Sequence, residues 1–322
     1  MSETKQTVHA FAPAGRHASR KLEYTGNLAI QPLPSPAVDL GDAARLAELD
    51  VRLDAPARIL WQHMKPAGRP SFTMGLLSDM RAAQRWVQSA FADAPETGEA
   101  PMRYVVMASR MPGIFNLGGD LPLFVELIRA KDRAGLRRYA HACIDVQHAR
   151  AINMDTPVVS ISLVQGDALG GGFECALAAD VIVAEKSAKF GLPEILFNLF
   201  PGMGAYSLLG RRIGPARAEE MILSGRIYSA EELKAMDVVD VVAADGQGEE
   251  AVYQYVEERD RSFNAHRAVY KVRRMVNPVS HRELLDVTDL WVETALTLEN
   301  SDLRKMERLA AAQDRRWAAI SG

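Results

Sequence analysis

Two carboxylates and two glycine-rich segments stand where they could serve acid–base chemistry. Glu174 follows three consecutive glycines at 170–172, and Glu194 comes twenty residues later. A second glycine pair, Gly118 and Gly119, lies upstream. A helix that begins at such glycines presents unpaired backbone N–H groups and the positive end of its dipole. These groups can stabilise an oxyanion, and two nearby carboxyls can then transfer protons on the same substrate.

Phosphate binding and tight packing are the other interpretations of the glycine triplet. The segment 164–174 lacks the Lys-Ser or Lys-Thr of a P-loop and does not match G-x-G-x-x-G. A carboxylate at Glu174, one turn into the helix, would repel a phosphate group. The triplet alone could equally serve close packing of a helix on a strand. The second glycine pair and the second carboxylate shift the balance towards an oxyanion site.

The elements that must position these groups alternate between short apolar strands and helices. The pattern predicts strands near 49–53, 59–61, 104–107, 158–164, 181–183 and 238–242. It predicts helices near 77–91, 121–152, 171–179, 203–224 and 229–236, and largely helical sequence from 246 onward. Alternation of this kind indicates an α/β fold, and we place the catalytic core at 26–245. Residues 1–25 are polar and are expected to form a flexible tail.

Composition excludes several other classes of protein. A net charge of −3 gives no general attraction to nucleic acid. No stretch approaches the ~20 apolar residues that span a bilayer. Only two cysteines occur, Cys143 and Cys175, which argues against a disulfide framework and is typical of the reducing cytoplasm. We therefore expect a cytoplasmic enzyme of small-molecule metabolism.

A few other side chains invite a functional interpretation. His141, Asp145 and His148 share a helical spacing, but without a third strong ligand we predict a solvated helix face and no metal site. Cys175 has no histidine nearby in sequence, so a buried, inert cysteine is the simpler interpretation. The basic run 267–274 is expected to be an exposed amphipathic helix, although it could contact an acidic protein or a phosphate.

Three motifs in order along the chain resemble the crotonase (enoyl-CoA hydratase/isomerase) superfamily. They are F-N-L-G-G-D at 115–120, A-L-G-G-G-F-E at 168–174 and G-L-P-E at 191–194. The resemblance implies a crotonase fold, in which repeated ββα units form a superhelical core that a helical C-terminal region follows. It also implies that the amides of Gly119 and Gly171 bind a thioester oxygen and that Glu174 and Glu194 are the acid–base pair.

Finer features are similar to the diffusible-signal-factor synthase branch of this family. Asn116-Leu117 and Ala205-Tyr206 stand where ordinary hydratases tend to have small residues and a Gly-Thr pair. The branch implies dehydration of a 3-hydroxyacyl thioester followed by hydrolysis, which yields a cis-2-unsaturated fatty acid used as a quorum-sensing signal. A conventional enoyl-CoA hydratase or isomerase is the alternative enzyme, and a non-catalytic crotonase-fold scaffold is the alternative from another class.

The resemblance also implies the substrate carrier and the partners. The acyl group would arrive as a phosphopantetheine thioester, on acyl carrier protein or CoA, with no further cofactor. Met203, Trp291 and Leu309 are expected to line the acyl pocket, and residues 246–322 to contribute to that pocket and to oligomerisation. Relatives commonly form trimers or hexamers, so we expect a homo-oligomer. Binding to a regulatory sensor kinase is known in this branch.

Overall fold

The computed structural model describes residues 46–94 and 99–321, in which ten strands and eleven α-helices form. The strands are β1 (Leu49–Asp54), β2 (Ile59–Met64), β3 (Tyr104–Ser109), β4 (Ile114–Asn116), β5 (Val159–Val164), β6 (Asp167–Leu169), β7 (Val181–Glu185), β8 (Lys189–Gly191), β9 (Ile227–Ser229) and β10 (Val241–Ala243). The helices are α1 (Met74–Ala92), α2 (Leu121–Arg129), α3 (Arg133–Ala151), α4 (Gly171–Leu177), α5 (Ala205–Ile213), α6 (Pro215–Ser224), α7 (Ala230–Ala235), α8 (Gly248–Asp260), α9 (Phe263–Val276), α10 (His281–Ala295) and α11 (Asn300–Ser321). The tail expected at 1–25 lies outside the described residues.

Two sheets carry a repeated ββα unit. The larger has the order β1-β2-β3-β5-β7-β10 and the smaller β4-β6-β8-β9. Neighbouring strands are parallel except in the pairs β1–β2 and β8–β9. Strands β3, β5 and β7 lie in the larger sheet, and each is followed by a short strand in the smaller one. This arrangement confirms the predicted α/β fold with repeated ββα units.

The central strands are apolar on both faces because both faces are covered. All six residues of β5 are buried, as are all five of β7. Continuous apolar runs of this kind are typical of parallel strands between packed layers. Because the strands are short and parallel, the loops after β4, β6 and β8 are brought to one side of the smaller sheet, where the glycine motifs lie.

Two predicted helices are each divided in two. The helix expected at 121–152 breaks between α2 and α3, where Lys131 has a left-handed φ of 54°. Asp132 then begins α3, because its side chain accepts a hydrogen bond from the Gly135 amide at 2.8 Å. The helix expected at 203–224 breaks at Gly214, whose φ is 83°. In both cases the apolar pattern continues across the break, so periodicity did not reveal it.

The prediction of a strand at 238–242 is wrong for its first residues, which are not part of the sheet. Strand β10 begins only at Val241. The amides of Val238 and Val239 instead donate to the Leu233 carbonyl, which ends helix α7. Both valines are buried, so their apolar character serves the core and not the sheet.

The last two helices, α10 and α11, pack on other helices of the core. Helix α10 packs on α3, and α11 packs on α2 and on a short 3₁₀ helix at Pro193–Phe197. The helical C-terminal region expected from the resemblance is therefore present. Throughout 46–94 and 99–321, every helix is too short or too polar to cross a bilayer.

Candidate active site

The loop after β4 holds one backbone amide free at the edge of a cleft. Asn116 Oδ1 accepts a hydrogen bond from the Gly118 amide at 2.8 Å, and the Tyr139 hydroxyl accepts one from the Asp120 amide at 3.1 Å. The Gly119 amide between them donates no hydrogen bond within the part of the chain that the structure describes. The loop is therefore fixed on both sides of an unused donor.

Close contacts require glycine throughout the triplet 170–172. A Cβ atom on Gly170 would lie 2.5 Å from Glu194 Oε1, and one on Gly172 would lie 2.0 Å from the Asn116 carbonyl oxygen. Gly170 also has a positive φ of 52°. Tight packing, one of the interpretations of the triplet, is thus present at these residues.

The two glycine loops meet at the start of α4. A Cβ atom on Gly118 would lie 2.9 Å from the Gly171 amide nitrogen. Gly171 is the first residue of α4, where the amide has no acceptor inside the helix. Gly119 and Gly171 line the same cleft. The structure therefore brings the two predicted oxyanion donors together, and their binding of a thioester oxygen stays a prediction.

Glu174 is buried beneath these loops and is held by two backbone amides. The residue is 1% exposed, and its Oε1 accepts hydrogen bonds from the amides of Met203 at 2.8 Å and Ala205 at 2.9 Å. Burial raises the pKa of this carboxyl to about 7, although the two amides oppose the shift. A carboxyl with such a pKa can accept or donate a proton at neutral pH.

Glu194 reaches the same cleft from the 3₁₀ helix Pro193–Phe197. Its Oε2 is buried and has no hydrogen-bond partner among the described residues. Burial, and then the charge of Glu174, raise the pKa of Glu194 to about 8. The amides of Met203 and Ala205 stabilise the Glu174 carboxylate, whereas Glu194 has only its own backbone amide. In the singly protonated pair the negative charge therefore rests on Glu174 and the proton on Glu194.

The unpartnered carboxyl of Glu194 should lower stability at alkaline pH. Its pKa is raised from 4.5 to about 8, so between these values the folded state binds more protons and stability falls as pH rises. We expect Glu194→Gln to raise the melting temperature at pH 8 by on the order of 5 °C and to leave it unchanged at pH 4.5. Thermal melts at both pH values test this, and an equal gain at both would contradict it.

The cleft beside the two carboxyls is apolar and has a volume of about 640 Å³, including its open mouth. Met203, Trp291 and Leu309, predicted from the sequence as pocket residues, all line it. Further apolar walls come from Leu121, Phe124, Phe197 and Leu199. Of the described residues that line the cleft, none is Lys, Arg or His. The cleft suits an uncharged acyl chain.

Sequence reasoning missed the groups that hold Glu174. The amides of Met203 and Ala205 precede and begin helix α5, and Gly204 between them has a φ of 109°. A glycine-rich segment ahead of a helix was the available signal, and it is the same signal that pointed to the oxyanion loops. Thr288 also lines the cleft and was missed, since a lone threonine in a helix carries no sequence signal.

The predicted solvated face on α3 is only partly solvated, because helix α10 covers part of it. His141 Nε2 lies 2.7 Å from Asp289 Oδ1, and Asp145 Oδ1 lies 2.9 Å from His281 Nε2. The His148 ring packs against that of His281 at 5.1 Å between centroids. These side chains bind helix α10 because α10 packs along α3, a contact that the local sequence did not indicate.

Of two other predictions about side chains, one is confirmed and the other is confirmed only in part. Cys175 is buried, as predicted, and burial raises the pKa of its thiol. The basic run on α9 is exposed only in part. Arg273 and Arg274 donate to the carboxylate of Asp180, which is 3% exposed, at 2.9 and 2.5 Å. These two arginines neutralise a buried acid because α9 lies against the end of α4.

Fold and site together define an enzyme of acyl-thioester chemistry, and sequence comparison agrees. The enoyl-CoA hydratase/isomerase family model matches residues 87–305. Methylglutaconyl-CoA hydratase of Rattus norvegicus is 33% identical over 229 residues, which cover 69% of this chain and 68% of that protein. Mevalonyl-coenzyme A hydratase SIDH of Beauveria bassiana is 48% identical over 86 residues, 27% of this chain and 31% of that protein. The chain belongs to the enoyl-CoA hydratase/isomerase family.

Solved structures share the fold. Human mitochondrial delta3-delta2-enoyl-CoA isomerase superimposes with a TM-score of 0.65 at 18% identity, covering 84% of this chain and 99% of that chain. DspI of Pseudomonas aeruginosa superimposes with a TM-score of 0.58 at 22% identity, covering 83% of this chain and 96% of that chain.

Proposed function

We propose that the protein removes water from a 3-hydroxyacyl thioester and then hydrolyses the thioester, which releases a cis-2-unsaturated fatty acid. The observation that carries the proposal is the pairing of two buried carboxyls, Glu174 and Glu194, beside two free glycine amides in an apolar cleft. The similarity of Asn116-Leu117 and Ala205-Tyr206 to signal-factor synthases supports the second activity.

Dehydration uses the two carboxyls on neighbouring carbons of the acyl group. The amides of Gly119 and Gly171 polarise the thioester carbonyl and stabilise the enolate-like charge, which acidifies the C2 proton. Glu194 removes that proton, and Glu174 protonates the 3-hydroxyl as it leaves as water. This step starts with the proton on Glu174, the less populated arrangement of the singly charged pair.

Hydrolysis starts from the more populated arrangement of the pair, with the negative charge on Glu174 and the proton on Glu194. The Glu174 carboxylate, held by two amides, removes a proton from water as the oxygen attacks the thioester carbon. The tetrahedral oxyanion is stabilised by the same Gly119 and Gly171 amides. The C–S bond then breaks, and the thiolate of the phosphopantetheine arm takes up the proton. One site thus supplies both steps without a second nucleophile.

The lining of the cleft supports an uncharged acyl chain. Methylglutaconyl-CoA carries a second carboxylate, which would be buried without a cation among the described lining residues. The side chains of Phe124, Trp291 and Leu309 instead offer apolar surface to a hydrocarbon tail. The carrier, acyl carrier protein or CoA, would remain at the open mouth of the cleft, and turnover of both thioesters distinguishes the two carriers.

A conventional enoyl-CoA hydratase is the second candidate, because two relatives, at 33% and 48% identity, are named as hydratases. The resting charge on Glu174 and the proton on Glu194 also match the form that adds water to an enoyl thioester. An interaction scaffold without turnover is the third alternative, and the retention of both glutamates disfavours it.

Turnover in ¹⁸O-labelled water separates these functions. Purified protein is given 3-hydroxyacyl thioesters of acyl carrier protein and of CoA, and trans-2-enoyl-CoA, and the products are identified by mass spectrometry. We expect a free cis-2-enoic acid with ¹⁸O in its carboxylate. Label only in a 3-hydroxyl group, with the thioester intact, would identify a hydratase, and no turnover of any thioester would favour the scaffold.

A further inference from the structure

The segment 202–205 connects Glu174 to helix α10. Its two amides, from Met203 and Ala205, are the backbone donors to Glu174 Oε1. Because both donors belong to one short segment, any displacement of that segment changes both hydrogen bonds together. The position of the segment therefore determines how well the Glu174 carboxylate is stabilised.

Three residues on one face of α10 fix this segment from the other side. Thr288 is 1% exposed, and its hydroxyl donates to the Gly202 carbonyl at 2.7 Å. Trp291 packs so closely on Gly202 that a Cβ atom there would lie 2.6 Å from the indole ring. Leu284 packs on Gly204, where a Cβ atom would lie 3.0 Å from its methyl group. Of these contacts, only that of Thr288 is a hydrogen bond.

We propose that Thr288 is a positioning residue, which acts through the Gly202 carbonyl to hold the 202–205 segment against Glu174. The inference rests on the proposed function, in which Glu174 transfers protons. Thr288 makes no hydrogen bond to Glu174 itself. Its loss would loosen the segment, weaken the two amide hydrogen bonds and raise the pKa of Glu174 further.

The other ionisable groups near Glu174 do not depend on Thr288. They are Glu194 across the cleft, Tyr139 and Cys143 from α3 and Cys175 beside it in α4, and burial raises the pKa of the Tyr139 hydroxyl. Burial raises the pKa of both thiols, so they stay neutral in the range of the assay. The acidic residues of α10 on this side are paired with arginines: Glu283 with Arg211 of α5, and Asp289 and Glu293 with arginines of α3. A shift in the pH profile after a change at Thr288 therefore reports on the amides.

The test is the pH dependence of kcat/KM for the wild-type protein and Thr288→Val. We expect the acid limb of the profile to move to higher pH by about half a unit, which lowers kcat/KM about threefold below that limb. Thr288→Ser retains the hydroxyl and should restore the limb. The matched control is Thr294→Val, whose hydroxyl donates to the Leu290 carbonyl within α10, away from the segment; its limb should not move.

Two outcomes overturn the proposal. One is a Thr288→Val protein with reduced melting temperature or kcat but an unmoved acid limb, which would show a purely structural role. The other is a limb that moves equally in Thr294→Val. If Thr288→Val does not fold, Thr288→Ala is measured in its place. Full activity of Glu174→Gln would overturn the proposed function, whereas an inactive Glu174→Gln with an unmoved Thr288→Val limb overturns only the positioning role.

Discussion

Glu174→Gln is expected to lower kcat/KM for the thioester substrate by about 10³-fold, with the fold retained. Glutamine has the same shape, and its Oε1 can still accept the hydrogen bonds from the Met203 and Ala205 amides. What is lost is the ability to take or give a proton. The measurement is steady-state turnover of 3-hydroxyacyl and enoyl thioesters, with a thermal melt of each protein.

Glu185→Gln is the matched control for this experiment. Glu185 is also buried, and its Oε1 also accepts two hydrogen bonds, from Gln165 Nε2 at 2.9 Å and the Gly248 amide at 3.0 Å. It does not line the cleft. We expect Glu185→Gln to keep the wild-type rate. A Glu174→Gln protein that is folded and as active as this control would contradict the role of Glu174.

The pH profile of the wild-type protein should show the carboxyl pair directly. Since the pKa values of Glu174 and Glu194 are raised to about 7 and about 8, activity should peak between them and fall on both sides. Below this window both carboxyls are protonated, and above it both are charged. In thioester hydrolysis, the step that the Glu174 carboxylate carries, Glu194→Gln should abolish the alkaline limb, because a residue without a proton to lose at position 194 cannot titrate. An alkaline limb that persists would have to come from another group.

Local patterns were sufficient to indicate the candidate site residues, because the groups of the site lie in short segments. Each glycine loop and Glu194 follow a short strand, so the sequence neighbours of Gly119, Gly171 and Glu194 already indicate a turn at the edge of a sheet. The parallel topology then places these turns together. Glycine spacing alone therefore predicts a loop–helix junction with unpaired backbone amides.

Contacts between distant segments were not predictable in this way. The α10 helix packs on α3 and on the 202–205 segment, and these contacts determine the roles of His141, Asp289 and Thr288. None of these residues has a local pattern that names its partner, because the partner lies more than eighty residues away in the chain. Helix breaks at Lys131 and Gly214 were missed for a related reason. The apolar periodicity reports burial, and both halves of each predicted helix carry buried apolar residues.

The oxyanion loops can be tested by substitution even though their donors are backbone groups. A Cβ atom at position 118 would lie 2.9 Å from the Gly171 amide nitrogen and 3.0 Å from the Leu169 carbonyl oxygen. Both neighbours are backbone, so they cannot move aside as a flexible side chain would. Gly118→Ala should therefore push the two loops apart and misplace the Gly119 and Gly171 amides.

We expect Gly118→Ala to lower kcat by about 10²-fold, the cost of one misplaced oxyanion donor. Gly118 has a φ of 93°, so alanine also adds backbone strain of about 1–2 kcal/mol. Gly113→Ala separates the two effects, because Gly113 has a φ of 65° but no atom within 4 Å of an added Cβ. It should lower the melting temperature similarly and leave kcat near the wild-type value. If both variants lost kcat equally, backbone strain and not the contact between the loops would account for the loss, and the two glycine amides would not act on the substrate as one site.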